Sequence, residues 1–496
     1  MNLSDVLEVS AERFASRPAV MDVRSGRSLT YEQLAHEADR VRKFLLAEGV
    51  EPCQRIALVA PNSLAYLPAA FGLLATGACL VPLPANLTDE EESRVLREID
   101  VNGTLVSPDG DVRQTPASPV VIATGECAGF RFQWQDRDAP GALALPAMNP
   151  AFIRFSSGTT ARSKGVVLSH EATAARVEAA DRVLRLTPDD RILWVLPLAY
   201  HFAVTIVGYV RAGAHVLLCP DTLPVSVLDA MHRLEATVFY ASPLHFERLG
   251  HLPPGSPLRK LRLAMSTSAP ISAAVMDLFE SVHGVPVAQA YGIIEAGLPC
   301  INLRTDGLPA TSVGRPVPGY EIAVFSEHGA RVEPGSTGDI GVRGPGLFSA
   351  YYSPWRRRED VTRDGFFPTG DVGRLDEGGA LHLLGRKKTV IFVAGVKFFP
   401  EEVEECINRF PGVRESRVFG APHAHLGQVP HAEIVPGANG HPIDLDAHRI
   451  DLDAHRIDLD ALRAHCARAL SAYKVPQQFT VVPAIAKTPG GKIVRR

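Results

Sequence analysis

The sequence predicts an α/β protein with a large N-terminal domain of two stacked α/β sheet units plus a small β-rich subdomain, followed by a small α+β C-terminal domain. The chain has 496 residues, which is too many for one hydrophobic core. Apolar strand-like runs alternate with helical segments in two cycles, as in sheets whose faces are covered by helices. The pattern changes near residue 386, so we predict domains at 1–386 and 387–496.

The first cycle opens with a helix whose start is marked by a capping box of Thr30 and Gln33. The strand-like runs of this cycle are 55–59, 80–81 and 103–106. The uncharged segment 62–88 has the apolar composition of a membrane span, but glycines and prolines interrupt it. We therefore expect no membrane span there and predict a buried helix that Asn62 caps and that stops at Gly77.

The second cycle and the C-terminal domain continue this alternation. The strand-like runs are 192–195, 215–218, 237–240, 261–265 and 285–289, with helices at 225–234 and 273–282. After Gly297, short β runs with glycine and proline predict the β-rich subdomain. The C-terminal domain should contain helices over 400–408 and 462–470, and strands near 416–419 and 431–435.

Composition excludes several classes of protein. The net charge of -4 comes from 51 basic and 55 acidic side chains, so no strong field attracts nucleic acid or anionic lipid, and we expect no nucleic-acid partner. The seven cysteines are scattered and form no Cys-x-x-Cys pair, which disfavours disulfides and a zinc site and favours a reducing, cytoplasmic location. The N-terminus shows no signal-peptide pattern.

A short repeat lies at 443–461, where Ile-Asp-Leu-Asp-Ala-His-Arg occurs twice and its first five residues a third time. It is compatible with a helical extension of the segment 462–470. A metal-binding His/Asp face and a partner helix are two interpretations. We favour a duplicated, solvated surface, because its charges alternate without a closed set of ligands.

A hydroxyl-rich loop at 156–165 has the composition of a phosphate-binding site. It lies between apolar runs at 151–155 and 166–168, so backbone amides, hydroxyls and one ammonium can converge on an anion from a strand-turn-strand frame. It is not a Walker loop, because Lys164 and Gly165 precede a strand instead of a helix.

Five segments, in this order and spacing, resemble the adenylate-forming superfamily, which includes acyl-CoA synthetases, luciferases and the adenylation domains of peptide synthetases. The segments are 156–160 with Lys164 and Gly165; 291–295; 368–371; 385–388 with Gly395; and 487–489 with 491–493. The resemblance covers nearly the whole chain. It implies an AMP-forming ligase that joins a carboxylic acid to a thiol, with ATP and Mg²⁺, and with CoA as co-substrate.

The resemblance also assigns roles to residues. The nucleotide site would comprise Ser156, Ser157, Gly158, Thr159, Thr160, Ser268, Ala269, Pro270, Ala290, Tyr291, Gly292, Asp371 and Arg386. Lys164 would hold the leaving phosphates, Glu295 would bind Mg²⁺, and Asp371, on a tight Thr-Gly-Asp turn, would accept hydrogen bonds from ribose. Lys492 would bridge the attacking carboxylate and the α-phosphate. The C-terminal domain would be a mobile lid that rotates between half-reactions, with Lys388 at the hinge.

Two features of the resemblance bear on the substrate. The acyl pocket would include His201, Phe202, Tyr240, Ser266 and Ala296, with His201 either lining it or serving as a core histidine. Relatives that activate amino acids keep an aspartate near 200–204, and this chain has none, so we do not expect an α-amino acid. Small residues around the site predict room for a hydrophobic acid of aryl, alkyl or polycyclic type.

Ile294 departs from the family pattern, which has threonine there to hold the α-phosphate. Losing that hydrogen bond would cost about 1.5 to 3 kcal/mol if nothing replaced it. Ala161 and Ser163 also replace the usual glycine and proline of the loop. Three functions stay open: an acid-CoA ligase, which we favour, an acyl-AMP ligase that loads a carrier protein, and a catalytically weakened nucleotide-binding scaffold. A homodimer is one alternative for the assembly.

Overall fold

The computed structural model describes residues 2–85, 87, 89–109, 119–135, 145–155, 165–255, 257–305, 307–393, 396–423, 426–437, 457–487 and 493–495. The chain divides into two compact units. The first comprises Met1–Ile322 and Val342–Phe367, and the second comprises Ala323–Gly341 and Pro368–Arg496. The boundary predicted at residues 386 and 387 falls inside the second unit, and as the limit of a moving domain it stays a prediction.

The α-helices are α1 (Asp5–Phe14), α2 (Tyr31–Ala47), α3 (Tyr66–Ala75), α4 (Asp89–Glu98), α5 (His170–Leu184), α6 (Leu198–His201), α7 (Val207–Arg211), α8 (Pro224–Arg233), α9 (Pro243–Gly250), α10 (Ala273–His283), α11 (Pro400–Asn408) and α12 (Leu459–Ala469).

The strands are β1 (Pro18–Asp22), β2 (Ser28–Thr30), β3 (Arg55–Val59), β4 (Cys79–Leu83), β5 (Gly103–Val106), β6 (Val120–Val121), β7 (Arg131–Trp134), β8 (Pro150–Phe155), β9 (Gly165–Ser169), β10 (Arg191–Trp194), β11 (His215–Leu218), β12 (Val238–Ala241), β13 (Leu263–Ser266), β14 (Val287–Ile293), β15 (Gly297–Asn302), β16 (Arg315–Pro316), β17 (Glu321–Phe325), β18 (Gly338–Arg343), β19 (Ala350–Tyr351), β20 (Arg356–Arg357), β21 (Phe367–Leu375), β22 (Leu381–Arg386), β23 (Ile391–Val393), β24 (Val396–Phe398), β25 (Val413–His423), β26 (Gly427–Pro436) and β27 (Gln478–Val481).

The first unit is built on two sheets of nine strands each. One has the order β16-β15-β14-β13-β12-β10-β11-β1-β2, and the other has the order β20-β19-β9-β8-β4-β3-β5-β7-β6. In the first sheet the strands from β14 to β1 run parallel. Their residues are almost all buried, as expected for parallel strands covered on both faces. The two predicted α/β cycles are therefore confirmed.

Helix α3 is the buried helix predicted from the uncharged segment, and every residue from Tyr66 to Leu74 is buried. The prediction that Asn62 caps it is wrong, because the helix starts at Tyr66. Asn62 instead joins two segments: its Nδ2 donates to the Leu196 carbonyl and its Oδ1 accepts from the Leu198 amide, each over 2.8 Å. Across the described ranges, no helix is both long and apolar enough to cross a membrane.

The second unit contains a four-stranded sheet, β17-β18-β21-β22, and a five-stranded sheet in which β27 pairs with β26 beside the order β24-β23-β26-β25. The four-stranded sheet is the predicted β-rich subdomain, and most of its residues belong to this unit. In the five-stranded sheet, helix α11 packs on β25, and α11 and α12 share a core that includes Val403, Ile407, Leu462 and Cys466. This confirms the small α+β domain.

The repeat does not extend α12 without a break. The helix starts at Leu459, and Asp458 caps it in an extended conformation by accepting a hydrogen bond from the Ala461 amide over 2.9 Å. The predicted continuous extension is therefore wrong at this point. Residues 443–456 of the repeat lie outside the described part of the chain.

The contact between α2 and α3 depends on Gly72, where a Cβ atom would lie 2.5 Å from the Ala38 carbonyl oxygen and 2.6 Å from the Val41 Cβ. Gly72→Ala should force the two helices apart and lower the free energy of unfolding by about 1–3 kcal/mol. The urea midpoint measures this. Gly255→Ala is the control, because no heavy atom lies within 4 Å of the added carbon. Equal midpoints for the two variants would contradict the prediction.

Candidate active site

Several of the predicted nucleotide and acyl residues of the first unit lie at one edge of the first sheet. Tyr240 lies near the end of β12, Ser266 ends β13, and Tyr291 lies near the end of β14. These strands are parallel neighbours, so their carboxyl ends open on the same side, where α/β proteins usually bind ligands. The other predicted residues of this edge are Ser268, Ala269 and Pro270 after β13, Ala290 and Gly292 in β14, and Ala296 in the turn after it.

The loop after β13 has an unusual backbone. Ser268 has a φ of 73°, in the left-handed region that residues with a Cβ rarely occupy. Such a conformation costs about 1–3 kcal/mol and persists where the surroundings fix it, often at ligand-binding segments. The strain therefore marks the 268–270 loop as a constrained part of this edge.

A buried arginine fixes the turn that carries Glu295. The turn joins β14 to β15, and Arg176 on α5 donates to the Ile294 carbonyl over 2.9 Å and to the Glu295 carbonyl over 3.4 Å. Arg176 Nε also donates to the Gly346 carbonyl over 3.0 Å. Tyr320 adds a hydrogen bond from its hydroxyl to the Ala296 carbonyl over 2.6 Å. The sequence predicts neither side chain for this site, because neither belongs to a local motif.

Tyr351 holds the Glu295 carboxylate, and its hydroxyl donates to Oε1 over 2.9 Å. Burial, together with the charge of Glu295, raises the pKa of Tyr351 well above its usual value. The hydroxyl therefore stays protonated and remains a donor at neutral pH. The result is a half-buried carboxylate with a fixed orientation, which suits a hard cation such as Mg²⁺.

Three of the predicted acyl residues, Tyr240, His201 and Phe202, belong to two aromatic groups. Tyr240 stacks on Trp194 with centroids 5.7 Å apart, and His201 contacts both rings at 5.9 and 5.5 Å. The Tyr240 hydroxyl and Thr267 Oγ1 are hydrogen-bonded at 3.0 Å, and burial raises the pKa of Tyr240 to about 12. Trp194 was not predicted, since it lies in a strand that sequence patterns mark only as core.

Phe202 belongs to the second aromatic group, which contains Tyr66, Phe71 and Phe152 at centroid distances of 6.0, 5.1 and 6.1 Å. Phe202 also begins a π-helical turn, Phe202–Ile206, an irregularity that is frequent at functional sites. Ser266 Oγ and the Tyr66 hydroxyl are buried and make no hydrogen bond within the described residues. The aromatic residues predicted for the acyl pocket therefore lie in buried clusters, and two buried hydroxyls of this unit have no hydrogen-bond partner among the described residues.

In the second unit, Asp371 and Arg386 are cross-strand partners in β21 and β22, and Arg386 Nε lies 2.6 Å from Asp371 Oδ1. The structure thus brings the two predicted ribose-binding residues together. The predicted tight turn at Thr369, Gly370 and Asp371 is wrong, because these residues lie inside β21. Gly370, with a φ of 76°, gives this strand its local irregularity.

Several predicted residues lie outside the described part of the chain: Ser156, Ser157, Gly158, Thr159, Thr160, Lys164, Lys492 and Gly395. The segments around two of these gaps are well defined. Phe155 pairs with Gly165 in the antiparallel β8–β9 hairpin, which confirms the predicted strand frame of the phosphate loop. Lys487 pairs with Ile493, and Lys388 lies exposed in a 3-10 turn.

Residues 493–495, just after Lys492, are anchored to the second unit. Arg495 makes two hydrogen bonds to the Glu404 carboxylate over 2.7 and 2.6 Å, and the Val494 carbonyl accepts from Arg417 over 2.9 Å. Bidentate arginine–carboxylate pairs are strong and geometrically specific. This part of the chain therefore has a fixed place in the second unit.

Two nine-stranded sheets with a strand-end site, followed by a small α+β unit, are the architecture of an adenylate-forming ligase. The family of AMP-binding enzymes matches residues 7–352, and the AMP-binding enzyme C-terminal domain matches residues 402–492. The chain belongs to this family, and it is a ligase of the acyl-CoA synthetase type.

Individual relatives agree with this assignment. Oxalate–CoA ligase of Arabidopsis thaliana is 29% identical over 100% of this chain and 97% of its own length. Fatty acid–[acyl-carrier-protein] ligase ScoC of Streptomyces coeruleorubidus is 28% identical over 98% of this chain and 93% of its own. The crystal structure of ATP-bound MatB from Rhodopseudomonas palustris superposes with a TM-score of 0.82, with 26% identity over 99% of this chain and 97% of that one.

The anchor around Arg495 should make stability depend on pH. Burial raises the pKa of Glu401 from 4.5 to about 7, against the opposing charge of Arg495. The folded state binds the Glu401 proton more tightly than the unfolded state does. The stabilisation that this proton gives is therefore fully present below pH 4.5 and is lost as the pH rises through 7. Glu401→Gln should therefore raise the free energy of unfolding at pH 8 by about 1–3 kcal/mol and change it little at pH 4.5.

Urea unfolding at both pH values measures this effect. Glu405→Gln, on the same helix and exposed beside Arg409, is the matched control and should show no such difference. A Glu401→Gln effect that is the same at both pH values would contradict the raised pKa.

Proposed function

We propose that this protein activates a hydrophobic carboxylic acid, of aryl, alkyl or polycyclic type, with ATP and then transfers the acyl group to the thiol of CoA. The observation that carries the proposal is the fixed turn at 294–296. Arg176 and Tyr351 hold Glu295 at the sheet edge where the strand of Tyr240 ends. A carboxylate able to bind a cation, near buried aromatic side chains, suits the joining of a phosphate to an organic acid.

The first half-reaction brings two anions together. A carboxylate oxygen of the acid attacks the α-phosphorus of ATP, the bond from that phosphorus to the bridging oxygen breaks, and pyrophosphate leaves. Donors from the loop at 156–160 and Lys164 hold the leaving phosphates, while Lys492 reduces the repulsion between the acid and the α-phosphate. In the second half-reaction the CoA sulfur attacks the acyl carbon and AMP leaves.

The remaining roles are those that the resemblance assigns. Glu295 is the proposed protein ligand of Mg²⁺, which when bound neutralises charge on the phosphates. Tyr291 lies against adenine, with Ser268, Ala269, Pro270, Ala290 and Gly292 around the nucleotide. Asp371 accepts from the ribose hydroxyls and Arg386 adds a donor. Lys388 is the proposed hinge, and the predicted cytoplasmic location and homodimer stay predictions.

The acid panel that tests this function uses aryl, alkyl and polycyclic acids with ATP and Mg²⁺. Pyrophosphate exchange reports the first half-reaction, and thioester formation with CoA or with a phosphopantetheinyl carrier protein reports the second. The ScoC relative favours the carrier protein as the second candidate acceptor. If pyrophosphate exchange occurs but the thioester forms only on the carrier protein, the carrier protein replaces CoA as the acceptor. No exchange with any acid would support the weakened scaffold that Ile294 suggests.

Lys492→Ala should separate the two half-reactions. Without its ammonium the first step should slow by at least about 100-fold, since preorganised charge supplies several kcal/mol at such a centre. Conversion of a supplied acyl-adenylate to the thioester should persist, because the lid rotates away for that step. Rapid-quench measurements of both steps check this, and Lys487→Ala is a control in the same segment. Equal loss of both steps would contradict the alternation.

Tyr351→Phe should weaken the use of Mg²⁺. Removing the hydrogen bond to Glu295 Oε1 releases the carboxylate, so the Mg²⁺ concentration at half-maximal exchange should rise about 10-fold, as for other bonds to charged groups. Tyr352→Phe is the matched control, because the neighbouring hydroxyl bonds to Asp100 instead, over 3.1 Å. An unchanged Mg²⁺ dependence in Tyr351→Phe would argue against Glu295 as the ligand.

A further inference from the structure

Arg154 is a buried arginine that has no part in this mechanism. It lies in β8, one residue before the last of that strand, and its side chain is only 5% exposed. Within the described ranges no carboxylate lies at ion-pair distance from its guanidinium and no acceptor takes a hydrogen bond from it. The charge of Glu295 acts on Arg154 from beyond ion-pair distance. Burying a charge is costly, and the described residues compensate this one only in part.

The strand geometry shows which way this side chain faces. Successive residues of a strand point to opposite faces, so Arg154 shares a face with Phe152 and not with Ile153. Ile153 packs in the core cluster with Val81 and Val167. Phe152 instead contacts Phe202, at 6.1 Å between centroids. Arg154 therefore faces the aromatic group of Phe202, where the acyl residues lie.

The electrostatics of the first unit agree with this direction. The charge of Arg154 lowers the pKa values of Tyr66, Tyr200 and Tyr240, which burial raises. Burial lowers the pKa of Arg154 itself to about 10, so the guanidinium still carries its charge at pH 7. The Tyr66 hydroxyl, on the same aromatic group, is also buried without a hydrogen-bond partner among the described residues. Two strong donors thus share this region, and neither has an acceptor among the residues that the structure describes.

We propose that Arg154, with the Tyr66 hydroxyl, binds a second carboxylate of the acid substrate, so that the enzyme selects dicarboxylic acids with an apolar body. This rests on the proposed function and narrows its substrate class. Arginine suits the role because its planar fork matches a carboxylate in a bidentate pair. The phosphates of ATP are the other anions at this site, and the experiment separates them from the acid.

The test compares acids that differ only in a second carboxylate, benzoate with terephthalate and hexanoate with adipate, by pyrophosphate exchange. In Arg154→Met the ratio of kcat/KM for the diacid to that for the monoacid should fall about 10- to 100-fold, as for loss of a charge-assisted hydrogen bond. The KM for ATP should stay the same. Tyr66→Phe should lower the same ratio by a smaller factor. Arg182→Met, an exposed arginine of α5, is the matched control.

An equal loss of kcat/KM for monoacids and diacids, together with a raised KM for ATP, would overturn the proposal and assign Arg154 to the phosphates. An unchanged ratio would also overturn it. Arg154→Met should unfold at the same or a higher temperature, since an apolar residue replaces a buried charge. If Arg154→Met fails to fold, Arg154→Lys takes its place. The ratio of kcat/KM for the diacid to that for the monoacid should fall in this variant as well, because an ammonium cannot form the bidentate pair.

A thermal-shift measurement distinguishes failure of this inference from failure of the proposed function. A diacid should raise the unfolding temperature of the wild-type protein and not that of Arg154→Met, whether or not turnover occurs. If no acid supports pyrophosphate exchange but a diacid still raises the unfolding temperature of the wild-type protein alone, only the proposed function fails. No selective shift in the wild-type protein overturns the role of Arg154.

Discussion

The site of the first unit depends on one buried guanidinium. Arg176 donates to carbonyls that come from two distant parts of the chain, the turn at 294–295 and Gly346. The backbone must approach this side chain closely, and a Cβ at Gly346 would lie 2.4 Å from the Arg176 Cβ. The glycine and the arginine therefore require each other. Without this arrangement, neither the orientation of Glu295 nor its bond to Tyr351 would be defined.

Local chemistry made much of the fold predictable. The capping box of Thr30 and Gln33 is present with both of its hydrogen bonds, and α11 has the bounds that its sequence pattern indicated. The errors arise where a side chain finds a partner far away in the chain. Asn62 bonds to residues 134 and 136 positions later and leaves the end of α3 uncapped. The composition of 369–371 predicts a turn, but pairing within the sheet keeps these residues in β21.

The candidate site was predictable only where motifs mark it. The strand ends with Tyr240, Ser266 and Tyr291 came from the resemblance, and the structure places them on one edge of one sheet. Arg176, Tyr351 and Trp194 were not found, because their roles arise from contacts between distant segments that leave no local pattern. Arg154 and Arg176 show the same limit. Carbonyls surround the Arg176 guanidinium, whereas the described residues give Arg154 no hydrogen bond, and composition alone does not separate the two.

The contacts of residues 487 and 493–495 have a consequence for the end of the chain. Lys487 pairs with Ile493 and forms an ion pair with Glu415 on β25, and Arg495 bonds to Glu404 on α11. These residues are therefore tied to both the sheet and the helix of the second unit. Any displacement of α11 carries Arg495 with it, because a bidentate arginine–carboxylate pair resists separation.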